Sequence, residues 1–105
     1  MVIKMKLYEA FALLTVCAHP LRYEIMAFIH DTGEVTFDEV NEYISEFYPD
    51  LFMARSELDF IFSELEHYKI LSERGEVWGT LYFLTNRGVV LLEVLSDLDE
   101  RKELL

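Results

Sequence analysis

Apolar residues return along one stretch of the chain with a helical period: Leu58, Ile61, Phe62, Leu65 and Tyr68 stand at i, i+3, i+4, i+7 and i+10. This predicts a helix over Arg55–Tyr68 whose other side carries Arg55, Ser56, Asp59, Ser63 and Glu66. Just before it, Val40, Tyr43, Ile44 and Phe47 give a shorter one-faced helix that stops at Pro49. Its start is well marked. Thr36-Phe37-Asp38-Glu39 reads as a capping box, and Val35 and Val40 flank it as a hydrophobic staple. Upstream, His19-Pro20 opens a helix that places Leu21, Ile25, Phe28 and Ile29 at core spacing until Asp31-Thr32-Gly33 ends it.

The first helix, roughly Met5 to Cys17, is apolar nearly all round (Leu7, Phe11, Ala12, Leu13, Leu14, Val16). Such a helix must be covered on more than one side, by its own chain or by a second protomer. Downstream, Ile70–Glu73 and Thr80–Leu84 read as two strands joined through Arg74-Gly75-Glu76-Val77-Trp78-Gly79. Thr85 then caps a last helix with Leu91, Val94, Leu95 and Leu98 on one stripe.

In order, these elements make an α+β, mainly α fold, a winged helix-turn-helix. Residues 36–68 form the helix pair, 70–84 a two-stranded hairpin wing, and 5–18 and 89–105 the flanking terminal helices. A chain of 105 residues with 52% hydrophobic and 14% aromatic residues suits one domain, 1–105, with a packed core. The apolar run Ala10–Ala18 is far shorter than the roughly 20 residues that span a bilayer, and no basic segment with a cleavage site precedes it. We therefore expect a cytoplasmic protein with no membrane partner. The single cysteine, Cys17, forms no internal disulfide.

Charge complicates this picture. Of a net charge of −11, most falls between Glu34 and Glu66, where ten acidic residues face one cation, Arg55. Acidity of this kind repels phosphate backbones unless the few cations are gathered together. Lys4 and Lys6 make the N-terminus positive, and Lys69, Arg74 and Arg87 lie around the hairpin with Glu73 and Glu76. No glycine-rich phosphate loop or nucleophile motif suggests an enzyme. Cys17, His19, His30 and His67 lack metal-ligand spacing, and no residue set asks for a cofactor.

Three segments carry a family likeness: His19-Pro20-Leu21-Arg22-Tyr23-Glu24-Ile25-Met26; Ser56 through Leu65-Glu66-His67-Tyr68-Lys69-Ile70-Leu71; and Tyr82-Phe83-Leu84-Thr85-Asn86-Arg87-Gly88. In their order and spacing they resemble the winged-helix transcriptional regulators of the ArsR and MarR type found in bacteria and archaea. The resemblance implies a homodimer joined by its first and last helices, with Leu7, Phe11, Leu14, Leu91, Val94, Leu95 and Leu98 as the interface. It also implies sequence-specific binding of double-stranded DNA. The helix from Arg55 would enter the major groove with Arg55, Ser56, Asp59 and Ser63, and the wing would bring Arg74 and Trp78 to the backbone or minor groove. The acidic helix pair supports a different expectation, an interaction module that binds a basic protein partner and holds DNA only weakly.

Overall fold

His19 and Pro20 begin the second helix as the sequence suggests: the His19 Nδ1 accepts a hydrogen bond from the Leu21 amide at 3.2 Å, and proline occupies the first turn. The structure is a computed structural model that describes residues 7–17, 19–51 and 55–103, with side chains over 12–17, 19–50 and 55–97. Its elements are α1 (Leu7–Cys17), α2 (Pro20–Thr32), α3 (Phe37–Phe47), a 3₁₀ turn (Pro49–Leu51), α4 (Arg55–His67), β1 (Leu71–Glu76), β2 (Gly79–Leu84) and α5 (Asn86–Glu103). Met5, with which the first helix was expected to start, lies outside the described residues.

Local chemistry sets the boundaries. Gly33, at φ 97°, ends α2 in a backbone region that L side chains rarely adopt, and its amide reaches back to Ile29 O at 2.7 Å. The capping box at α3 is complete: Glu39 N donates to Thr36 Oγ1 at 3.1 Å and Thr36 N donates to Glu39 Oε1 at 3.0 Å. Both staple residues, Val35 and Val40, are fully buried. At the end of α4, Ile70 N bonds to Leu65 O at 2.9 Å and Lys69 N to Glu66 O at 3.0 Å. This is a Schellman closure, and it puts Lys69 at φ 60° where glycine is usual.

The hairpin differs from the sequence expectation. Its strands run three residues further along β1 and one residue earlier in β2, leaving a two-residue turn, Val77-Trp78. Arg74, Gly75 and Glu76 pair with Leu81, Thr80 and Gly79. Their polar, exposed character had suggested a loop, yet backbone pairing needs no buried side chains. The sheet gains a further contact beyond β2, where Val35 and Tyr82 exchange two backbone hydrogen bonds of 3.0 and 2.7 Å.

The core draws on every helix and the base of the hairpin. Cys17, Ile25, Met26, Ile29, Val35, Val40, Leu65 and Ile70 are fully buried, with Leu58, Phe62 and Leu71 nearly so. Each such side chain contributes roughly 1.5–3 kcal/mol relative to exposure. α2 lies at the centre, touching α3, β2 and α5. Arg22 on α2 pairs with Glu64 on α4, tying the second helix of the pair to that centre. No helix among the described residues is long and apolar enough to cross a membrane.

Candidate nucleic-acid interface

Burying Leu58, Ile61, Phe62 and Leu65 turns the opposite side of α4 to solvent, so that Arg55, Ser56, Asp59 and Ser63 are all exposed. The hairpin stands beside this face. Tyr82 packs edge-on against Phe62, with ring centroids 4.8 Å apart, and holds the sheet close to the helix. A cavity of about 490 Å³ opens between them, lined by Phe37, Arg55, Ser56, Asp59 and Tyr82. A second, of about 330 Å³, adjoins it at the wing and brings Trp78 to Arg55 through Phe37, Asp38 and Tyr82. Four of the six residues expected to meet DNA (Arg55, Ser56, Asp59 and Trp78) thus line one continuous trough.

Arg74 and Ser63 lie elsewhere. Arg74 sits within β1 rather than at the hairpin tip, and its guanidinium grips Glu34 with two hydrogen bonds of 3.0 and 2.8 Å. Its Nε donates to Glu76 at 2.9 Å. Ser63 is exposed further along α4 and lines neither cavity.

The arginine at the start of α4 is also engaged. An i+4 pairing with Asp59 would be the local arrangement, but Arg55 instead donates to Asp38 of α3 at 2.9 Å, with its guanidinium 4.6 Å from the centre of the Phe37 ring. Both partners of that ion pair are about 70% exposed (68% and 71%), so water and salt weaken it, and its worth is about 0–1 kcal/mol. Asp38, Phe37 and Glu34 were not legible as site residues, because sequence gives them only capping and loop roles.

Next to Tyr82, three carboxylates come together that were not expected either. Asp59, Phe62 and Glu66 fall on one face of α4 by helical spacing, and Glu73 is the cross-strand neighbour of Tyr82. Burial raises the Glu66 pKa to about 7, helped by the negative charge of Glu73, a hydrogen bond shared with Glu73, and the charge of Asp59. Burial, with the charges of Glu73, Glu66 and Asp59, raises the Tyr82 phenol as well.

The residues expected to pair two protomers divide differently. Leu91 is in the chain's own core at 3% exposure, and Leu14 and Leu95 pack partly buried against that core. Val94 is 39% exposed. The side chains of Leu7, Phe11 and Leu98 lie outside the described ones. Cys17 is buried, and desolvation raises its thiol to about 11 even though Arg22 opposes the shift. Among the described residues, no group of three or more His, Cys, Asp or Glu side chains is placed to hold a metal ion.

No family model matches the chain, and no curated protein matches it in sequence. Solved structures do. HlyU from Vibrio cholerae N16961 is 20% identical, with a TM-score of 0.71 over 91% of this chain and 97% of that one. Diamide-treated YodB from B. subtilis is 17% identical, with a TM-score of 0.76 over 97% of each chain. The transcriptional repressor PagR of Bacillus anthracis is 15% identical, with a TM-score of 0.68 over 88% of this chain and 94% of that one. With its helix pair, its two-stranded wing and its flanking terminal helices, this chain has the winged helix-turn-helix fold that these proteins share.

Proposed function

We propose that the chain is a sequence-specific DNA-binding transcriptional regulator that acts as a cytoplasmic dimer. The observation that carries this reading is the position of Arg55 at the exposed start of α4, beside Ser56 and Asp59 and across a trough from Trp78 on the wing. Residues at the start of a recognition helix reach base edges, and an arginine there can grip guanine O6 and N7 together. Several chains of the same fold are named as transcriptional regulators or repressors, which supports the same role. Regulation would be steric, with the bound dimer occupying a promoter-proximal site.

With nine Lys and Arg against twenty Asp and Glu, affinity for random duplex should be low and its salt slope shallow. The test is selection of a preferred duplex from a random pool, followed by salt-titrated binding of the wild type, Arg55→Ala and Arg74→Ala. Arg55→Ala should cost about 1–3 kcal/mol and relax preference at one position of each half-site. Arg74→Ala should affect all sequences alike. Preference that survives Arg55→Ala would remove this reading.

One observation favours a second reading. Both arginines expected at DNA are held by the chain's own carboxylates, Arg55 by Asp38 and Arg74 by Glu34 and Glu76. An acidic module that captures a basic protein partner accounts for that arrangement directly.

A further inference from the structure

All three guanidinium nitrogens of Arg74 are held by the chain's own acids. The two terminal nitrogens donate to the two oxygens of Glu34 at 3.0 and 2.8 Å, and Nε donates to Glu76 at 2.9 Å. Glu76 stands two residues further along β1 and so shares a face of the strand with Arg74. Glu34 arrives from the loop before α3, and the backbone brings it there: its neighbour Val35 exchanges two hydrogen bonds with Tyr82 of β2. Groups held so close by backbone lose little freedom when they pair, which sets this fork apart from an ordinary surface ion pair.

Arg55 is held more loosely. It gives Asp38 a single hydrogen bond, and that pair is more exposed than Arg74 and Glu34, whose side chains are 52% and 41% accessible. Guanine accepts two bonds from one guanidinium and so offers Arg55 more than Asp38 does. A phosphate offers Arg74 at most the two-pronged bond that Glu34 already supplies, and must displace Glu76 as well.

We propose, on the DNA-binding reading above, that the Glu34 carboxylate is an autoinhibitory contact: it stands in for a DNA phosphate at Arg74 and keeps that arginine from the backbone of a duplex. A phosphate contact positions a protein without reading bases, so the restraint lowers affinity for every sequence alike and leaves the Arg55 readout untouched. The acid that occupies the wing arginine thus sets how tightly the chain holds any DNA, while α4 sets which DNA it prefers.

The full chain is titrated with the selected duplex and with a random-sequence duplex over a range of salt concentrations, as wild type, Glu34→Gln, Arg74→Ala and Glu34→Gln/Arg74→Ala. Glu34 is exposed and outside the core, and circular dichroism checks that each variant folds. We expect Glu34→Gln to tighten both duplexes a few-fold and to steepen the salt slope by about 0.9, the value for one added phosphate contact. Preference between the duplexes should not change. In the Arg74→Ala background the same substitution removes only one negative charge, and its gain should be smaller.

Equal gains in the two backgrounds would show a general effect of charge and overturn the contact. Weaker binding by Glu34→Gln would mean that the carboxylate aims Arg74 at DNA, and a gain confined to the selected duplex would make Arg74 a reader of bases; either overturns the proposal. These three results leave the DNA-binding reading standing. Failure of all four proteins to bind either duplex at low salt would overturn that reading and the proposal together.

Discussion

Arg55 of α4 reaches Asp38 of α3 at 2.9 Å, so the one cation of the helix pair is spent within the pair before any ligand arrives. Binding DNA through Arg55 must first break that contact. Asp38→Asn should therefore tighten duplex binding, by a few-fold at most, since an exposed pair is worth only about 0–1 kcal/mol. Salt-titrated binding of both proteins to one duplex checks this. Weaker binding by Asp38→Asn would mean that the carboxylate orients Arg55 rather than competing for it.

The burial of Glu66, with Glu73 beside it, gives stability a pH dependence. A carboxyl whose pKa is 4.5 when unfolded and about 7 when folded binds its proton more tightly in the native state. The resulting stability is fully present below pH 4.5 and is lost as pH rises through about 7. Glu66→Gln keeps the side chain neutral throughout. In urea denaturation it should be more stable than the wild type at pH 8 and close to it near pH 5, and an equal difference at both would refute the mechanism.

Gly88 lies in the first turn of α5 against the backbone of Ile70, and a β-carbon there would collide with the Ile70 carbonyl oxygen. The same oxygen accepts the Thr85 amide at 3.0 Å, and the Thr85 hydroxyl, which donates to Lys69 O at 2.6 Å, accepts the Gly88 amide at 3.1 Å, so moving the Ile70 carbonyl would loosen the cap of α5. Gly88→Ala should cost about 1–3 kcal/mol despite the better helix propensity of alanine. A stability gain in thermal or urea unfolding would show that this contact yields easily.

Val94 tests the dimer more cleanly than Leu95, which packs against its own core. Val94→Glu places a charge at a 39% exposed position of α5 and should leave the monomer fold intact while abolishing association. Sedimentation at micromolar concentration with unchanged circular dichroism is the expected result. A wild type that sediments as a monomer under the same conditions would remove the dimer from the proposal.

Helix starts and stops were legible because they depend on neighbours in sequence: the Thr36–Glu39 box, Pro20 and Gly33 are each a local device. The α4 period likewise named its four buried residues, Leu58, Ile61, Phe62 and Leu65. What escaped was set by distant partners. Arg55 has an acid four residues away, yet finds one 17 residues away on another helix. The Glu66–Glu73 cluster exists only because the hairpin folds back onto α4, and the fork between Arg74 and Glu34 spans 40 residues. Lys69 closes α4 where a glycine is the usual residue, with Leu65 and Ile70, both fully buried, joined by the closing hydrogen bond.

The two-way hydrogen bonding of Val35 with Tyr82 makes one lever of two elements that a looser chain would let swing apart. Tilting the wing must pull on the residue that precedes the α3 cap, and with it the fully buried Val35 side chain. The gap between wing and helix pair is thus a fixed gauge rather than an adjustable jaw. Any surface that engages the chain must already match that spacing, and the amides of Val35 and Tyr82 should open to solvent exchange together.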